Sequence, residues 1–278
     1  MSSRKTRSPK SMMPRSRTLY SFLTEEWEAF KTVCNRRWSH LEDDLLENTF
    51  SRRQLLGSGY FGIVISTQNK KLVVKITSDR DEGYFNQLIL NDPYLQGNIG
   101  LPLVLDCFHI PEWGAHVILR ENVLFGVNKL PESSPLSRAI PILDKYGEQS
   151  IRIENKIANM LSSLRDVTDK LSKSDFTHAY REAQGLMRTE IIKALKTLPY
   201  TSESSKYYYA MDVLRHSLDK YGIALWDLHN LNLGYHQYDM SEFSENAPEL
   251  DTSSILILDV GGNFGSPIMS QMIEDEEV

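Results

Sequence analysis

The residues Leu56-Gly57-Ser58-Gly59-Tyr60-Phe61-Gly62-Ile63-Val64 place three glycines in a Gly-x-Gly-x-x-Gly-x-Val pattern. Glycine lets a turn bring its backbone close to a polyphosphate with amides free to donate to the oxygens. Alone the pattern is weak, because a glycine-rich hairpin reads the same way. A dinucleotide-binding turn would be followed by a helix, whereas a strand and a hairpin follow here. Lys75 then stands inside the apolar run Val73-Val74-Lys75-Ile76, thirteen residues after Gly62. An ammonium in that setting is costly to bury unless an anion compensates it. A phosphate together with a carboxylate on the next helix would do so. Glu82 is the best carboxylate, since Phe85 and Ile89 follow three and seven residues later on the same helical face. Asp79 and Asp81 are the alternatives, and a surface lysine at a strand end is the plain reading.

Two further patterns follow. Trp226-Asp227-Leu228-His229-Asn230-Leu231-Asn232 spaces an acid and an amide as Asp-x-x-x-x-Asn, and Leu258-Asp259-Val260-Gly261 ends the apolar run Ile255 to Leu258 with a second acid. An acid, an amide and a second acid on adjacent loops suit Mg²⁺ and a nucleophilic hydroxyl. Each short pattern arises by chance in many proteins. All four in this order make a joint signal.

The elements that must position them follow from periodicity. Tyr20 to Leu46 reads as a helix, with Phe22, Leu23, Trp27, Phe30, Val33 and Trp38 at three-to-four spacing. Strands are expected at Gln54 to Leu56, Ile63 to Ser66 and Leu72 to Ile76, the last two joined by a turn at Gln68 to Lys71. A helix over Asp81 to Leu90 and strands at Leu101 to Phe108 and His116 to Glu121 complete this part. After a Ser- and Pro-containing loop at Pro131 to Leu136 the character becomes helical, over Ile140 to Leu171, Asp175 to Leu198 and Ser202 to Tyr221. Ser202 is the candidate N-cap of the third and Gly222 its end. Ile223 to Trp226 and Ile255 to Leu258 are short buried-strand candidates around an acidic loop, Tyr238 to Ser254.

The fold class expected is α+β: a small antiparallel sheet lobe with one helix, then a mainly helical lobe. The divisions are a basic tail at 1–18, a helical extension at 19–50, a sheet lobe at 51–125, a helical lobe at 126–270 and an acidic tail at 271–278.

In the order of its motifs the sequence resembles the protein-kinase-like superfamily: glycine-rich loop, strand lysine, helix glutamate, catalytic loop and Asp-x-Gly. The Asp227-Leu228-His229-x-x-Asn232 loop is similar to that of aminoglycoside-type phosphotransferases and to that of serine/threonine kinases encoded by podovirus-type bacteriophages. Leu56-Gly57-Ser58-Gly59-Tyr60-Phe61 and Asn98-Ile99-Gly100-Leu101-Pro102 look phage-like. The likeness spans about residues 50 to 265, and the stretch 130 to 220 is matched in layout alone.

The resemblance implies a two-lobed fold that uses ATP and Mg²⁺, with protein Ser or Thr as acceptors, host proteins among them, and autophosphorylation. A small-molecule acceptor or a silent binding module that sequesters a host protein are the alternatives. It implies that Gly57, Gly59 and Gly62 cover the phosphates, and that Lys75 binds them while paired with Glu82. Asp227 would accept the proton of the attacking hydroxyl, and Asn232 and Asp259 would hold Mg²⁺. His229 stands where many protein kinases carry a lysine near the γ phosphate. Val64, Val73 and Leu119 would sandwich adenine, with backbone groups from Glu121 to Val123 as the hinge.

There are departures. Leu225-Trp226 replaces the usual His-Arg before the catalytic aspartate, so a phosphate-switched activation loop is not expected. The 17 residues after Gly261 contain no Ala-Pro-Glu, so the acceptor is expected on the 130–200 helices or the acidic loop.

Composition bounds these readings. The 278 residues are 41% hydrophobic and 24% charged, as in globular chains. No apolar run approaches the roughly 20 residues of a bilayer span, and the first 17 residues lack the apolar core of a secretory signal. Two cysteines, Cys34 and Cys107, provide no disulfide framework. A cytoplasmic setting is expected. The net charge is -6, but residues 1–17 carry six basic groups and no acid, leaving 25 basic against 37 acidic residues elsewhere. So acidic a body argues against a nucleic-acid face beyond weak contact by the basic tail. His178, His216 and His236 have no metal-like spacing, and Tyr207-Tyr208-Tyr209 reads as helix packing.

Overall fold

A computed structural model describes residues 16–41, 44–59, 61–146, 148–149, 152, 186, 189–198, 202–225 and 227–261. The expected basic tail up to residue 15, the helical expectation over 153–185, Trp226, His178 and the acidic tail lie outside the described residues.

Five strands form an antiparallel sheet in the order β1-β2-β3-β5-β4. They are β1 (Leu55–Ser58), β2 (Gly62–Ser66), β3 (Leu72–Thr77), β4 (Val104–Ile110) and β5 (Ala115–Glu121). The β2–β3 turn is closed by side chains. Thr67 Oγ1 donates to the carbonyls of Asn69 at 2.7 Å and Leu72 at 3.0 Å, and Asn69 Oδ1 accepts from Lys71 N at 2.9 Å. That turn sets Val64 opposite Lys75 and Ile65 opposite Val74. In turn β5 puts Ile118 opposite Lys75 and Arg120 opposite Val73.

Because side chains alternate across a strand, this register gives the sheet two unlike faces. Ile63, Ile65, Leu72, Val74, Ile76, Val117 and Leu119 pack on one side with the N-terminal helices. Those helices are α1 (Ser16–Glu25) and α2 (Trp27–Trp38). Leu19, Leu23, Trp27, Phe30, Cys34 and Trp38 form their buried stripe, every third or fourth residue. Arg37 and Trp38 both bond Asp106 on β4, which fixes α2 across the sheet. Asn35 returns the chain by accepting from Leu46 N at 2.9 Å and donating to Asp44 at 3.0 Å.

On the other face lies α3 (Arg80–Asn91). Asp79 caps its first turn, accepting from Asp81 N at 2.9 Å and Glu82 N at 3.4 Å. Asp92 caps the short α4 (Pro93–Gln96), and its carboxylate also takes His216, Lys220 and Tyr221. Phe85 and Ile89 of α3 share a core with helical residues 135–146 and 189–196 and with α5 (Tyr208–His216). A wide turn, Ser217–Tyr221, extends α5 and ends at Gly222 with φ +71°. A second antiparallel sheet joins β6 (Leu124–Phe125), β7 (Leu233–Tyr235) and β8 (Leu256–Ile257) in that order.

Several expectations change. The single helix from Tyr20 to Leu46 is two, kinked at Glu26, whose φ of -109° is not helical although Phe30 N still reaches Glu26 O. Helical structure starts at Ser16, inside the expected tail. Val33 is exposed and Cys34 takes the buried position. The loop at 131–136 already turns helical at 135. Ser202 is not an N-cap: α5 begins at Tyr208, and the Ser202 hydroxyl serves Ser204 instead. Ile223 to Leu225 are buried, but only Ala224 makes a strand bridge. The acidic loop packs back on the N-terminal core through Met240 and Phe243, with Lys71 bonded to Asp239 and Glu242. Among the described residues no helix is long and apolar enough to cross a membrane.

Candidate active site

A cavity of about 400 Å³ opens between the glycine turn, the cleft face of β3 and β5, and the loops at 231–232 and 258–259. Its lining includes Gly57, Gly59, Gly62, Val64, Val73, Lys75, Glu82, Glu121, Val123, Asn232 and Asp259. The three glycines differ in kind. A Cβ on Gly57 or Gly59 would meet nothing within 4 Å, so their bareness leaves backbone open to the cavity, whereas on Gly62 it would sit 2.8 Å from Ile76 O. Gly62 is therefore required by β2–β3 packing, and its carbonyl closes the turn by accepting from Gly59 N at 2.8 Å.

Lys75 is 8% exposed and Glu82 2%, and the two are ion-paired. The cap at Asp79 explains the choice of carboxylate: it starts α3 at Arg80, turning Glu82 inward and leaving Asp79 occupied with helix amides. Lys75 Nζ also lies 3.4 Å from Asp259 Oδ2. Burial raises the Glu82 carboxyl above its ordinary range, with Lys75 opposing. Burial would also raise Asp259, but the Lys75 ammonium, the Gly261 amide and Arg120 outweigh it and hold Asp259 below the usual range. The inner cleft thus keeps a cation shared between two carboxylates.

The neighbouring loop is wetter. Asp227 is about half exposed, with His229 Nε2 3.8 Å from its Oδ1. His229 Nδ1 accepts from Leu231 N at 3.2 Å, which starts the tight turn Asn230–Asn232 and fixes the ring. Asn232 donates through Nδ2 to Asp227 O at 2.8 Å and Asp227 Oδ2 at 3.1 Å. With its nitrogen committed, Asn232 retains Oδ1 as an acceptor. Leu258 N donates to Asn232 O at 2.8 Å, so the two loops are tied directly. Asp227 and His229 are not part of the cavity lining; they adjoin it through Asn232.

An amide oxygen from Asn232 and a carboxylate from Asp259 form an oxygen-only donor set that fits Mg²⁺. Among the described residues no cluster of three or more His, Cys, Asp or Glu could hold a metal. Mg²⁺ in phosphate sites takes one or two carboxylates and fills its shell with phosphate and water, so this sparse set suits it.

Some placements differ from expectation. Leu119 does not line the cavity: it pairs with Val74 and faces the N-terminal core. Leu56, Phe125, Leu231 and Leu258 supply the apolar walls beside Val64 and Val73. Leu231 and Phe125 are each 66% exposed, an unusual state for such side chains, but only the fold shows that they flank a cavity. The Glu121 side chain is fully buried against His236, whose Nδ1 lies 2.9 Å from Glu121 Oε1 and whose Nε2 lies 2.8 Å from Ile99 O. The Glu121 amide donates to Leu103 O at 2.9 Å, so of this residue only the backbone carbonyl remains for a hinge role. Arg120 is a cleft residue absent from the sequence expectation, although a cation at the end of the apolar run Val117 to Leu119 carries the same signal as Lys75.

No family profile and no curated protein matches the chain. Among solved structures 21 chains match. One is a thermostable mutant of aminoglycoside phosphotransferase APH(4)-Ia in its apo form, 13% identical, covering 77% of this chain and 68% of that one, with a TM-score of 0.30. A likeness at that TM-score decides nothing about this chain's chemistry.

Proposed function

We propose that this chain is an ATP- and Mg²⁺-dependent phosphotransferase with a two-lobed kinase-like fold, its cleft lying where the two sheets meet. The observation that carries it is the convergence of Lys75, Glu82, Asn232 and Asp259 on one cavity roofed by a bare glycine turn. Backbone amides of the turn and the Lys75 ammonium bind the phosphates, and Glu82 holds Lys75 in place. Leu56, Val64, Val73 and Leu231 enclose the base. Asn232 Oδ1 and Asp259 hold Mg²⁺, which when bound neutralises charge on the phosphate oxygens. Asp227, half exposed beside the cavity, orients the acceptor hydroxyl and takes its proton. The hydroxyl oxygen forms the new bond to the γ phosphorus as the β–γ bridging P–O bond breaks and ADP leaves. Positioning and charge, not covalent chemistry by the protein, supply the rate.

For the acceptor, the first reading is a small hydroxylated molecule, which the Asp-Leu-His-x-x-Asn loop permits. Protein Ser or Thr, including host proteins and the chain itself, is the second reading and follows from the phage-like motifs. Both operate where ATP is abundant, in the cytoplasm. The acidic loop is an unsuitable acceptor dock, because its Asp239 carbonyl and Glu242 carboxylate tie it to Lys71 and no residue of it lines the cavity. The test is transfer of label from γ-labelled ATP to low-molecular-weight hydroxylated amines, to lysate proteins and to the chain itself, beside Asp227→Ala. Label in one fraction, absent with the variant, supports the reading and names the acceptor class. Equal labelling by parent and variant, or none by either, sinks it.

A further inference from the structure

Arg120 is the cleft residue that the phosphate chemistry leaves unexplained. It is the penultimate residue of β5, on the same face as Val73 and Lys75, lines the cavity and is only 7% exposed. A guanidinium so deeply placed is costly unless its donors are met. One is met across the cleft: Nη1 donates to the carbonyl of Leu258, the residue before Asp259, at 2.8 Å. Its buried Nε has no partner. The acids that feel its charge are Glu82, Asp259 and Glu121.

Leu258 is therefore held from both sides, by Arg120 at its carbonyl and by Asn232 O at its amide. The next residue carries the carboxylate assigned to the metal. Lys75, 3.4 Å from that carboxylate, competes for it while already paired with Glu82. An apolar residue at position 120 would release the Leu258 carbonyl, so that past the end of β8 the chain entering Asp259 keeps the bond from Leu258 N to Asn232 O without its counterpart, and would leave Lys75 as the one cation between Glu82 and Asp259.

Resting on the proposed phosphotransferase site, we infer that Arg120 is a positioning residue for metal binding. It clamps the Leu258 carbonyl so that Asp259 faces the metal position with Asn232, and it supplies the second cation that lets Lys75 stay with Glu82. It touches neither metal nor acceptor through the contacts seen here; its effect passes through Asp259.

The test uses the full chain with Mn²⁺ as the probe ion and a non-hydrolysable ATP analogue, following free Mn²⁺ by electron paramagnetic resonance. Arg120→Met should weaken Mn²⁺ affinity in the analogue complex about tenfold, a larger loss than it causes in metal-free analogue binding measured beside it. Arg120→Lys keeps the charge but loses the forked reach to Leu258, and should fall between parent and Met variant. Circular dichroism checks that each variant folds, and Arg120→Lys carries the test if the Met variant does not. A purely structural role would lower melting temperature and leave Mn²⁺ affinity per folded molecule unmoved, which overturns the inference while the site reading stands. A parent chain that binds neither analogue nor Mn²⁺ overturns the site reading itself, and this inference with it.

Discussion

The two faces of β3 and β5 are built from one run of residues and do opposite jobs. Val74, Ile76, Val117 and Leu119 are sealed under α1 and α2, with Phe30 and Trp38 buried to 1%. One residue away along the same strands, Lys75 and Arg120 carry charge into a cavity. The dry face is apolar along Val74, Ile76, Val117 and Leu119 and gains stability from packing. The cleft face keeps two buried cations, which costs stability unless Glu82, Asp259 and a ligand answer them. The contrast teaches that the N-terminal helices are the brace that lets the other face of this sheet carry unfavourable electrostatics.

The sharpest way to break that contrast is to remove chemistry without touching packing. Asp227→Asn should lower kcat about 10²–10⁴-fold, the usual worth of a positioned acid or base, while the melting temperature stays put because Asp227 is half exposed. Steady-state kinetics beside a thermal melt reads both. The opposite change, Phe30→Ala on the dry face, should cost about 3–5 kcal/mol in urea unfolding with transfer per folded molecule unaltered. A changed nucleotide KM there would mean that the faces are not independent.

Smaller effects separate the glycines. Gly62→Ala must push a methyl against the Ile76 carbonyl, so it should lose about 1–3 kcal/mol, the range for overpacking. Gly57→Ala meets open space, and should leave stability level or raise it by up to about 1 kcal/mol while weakening nucleotide binding. Identical behaviour in the two variants would deny the division of labour.

The smallest expected effect is a pH drift. His236 faces acceptors through both ring nitrogens, Glu121 and Ile99 O, so both must carry protons and the ring is an imidazolium. Burial would lower its pKa, but Glu121 outweighs burial and raises it above the ordinary 6.5. A raised folded value means that the stabilisation is complete below about pH 6.5 and is lost as pH climbs through the folded value. The melting temperature should therefore drift down on the alkaline side for the parent and be flatter in His236→Gln. A drift in the other direction would place His236 neutral in the fold.

Much of the cleft was legible because strand and helix periods are local. The apolar run around Lys75 in Leu72–Thr77 marks it as a cation on a buried strand, and the spacing from Glu82 to Phe85 and Ile89 orients the acid, so their pairing could be expected. Leu119 marks the limit of such local periods: alternation says that Leu119 and Arg120 face opposite ways, but register with β3 decides which one meets the cleft. His236, which looked bland, became a buried ion-pair partner only when residue 121, 115 positions earlier, came beside it.

What the chain determined by itself was the chemistry available and the local faces: glycines free of side chains, a lysine among β-branched residues, acids at loop ends. These follow from backbone periods of two and 3.6 residues, which any short window displays. Tertiary structure alone decided which faces met. It joined Arg120 to a carbonyl 138 residues away, turned the acidic loop toward Lys71 and placed Leu231 at the cavity wall. Such contacts are set by whole surfaces packing to exclude water, a property that no single segment encodes.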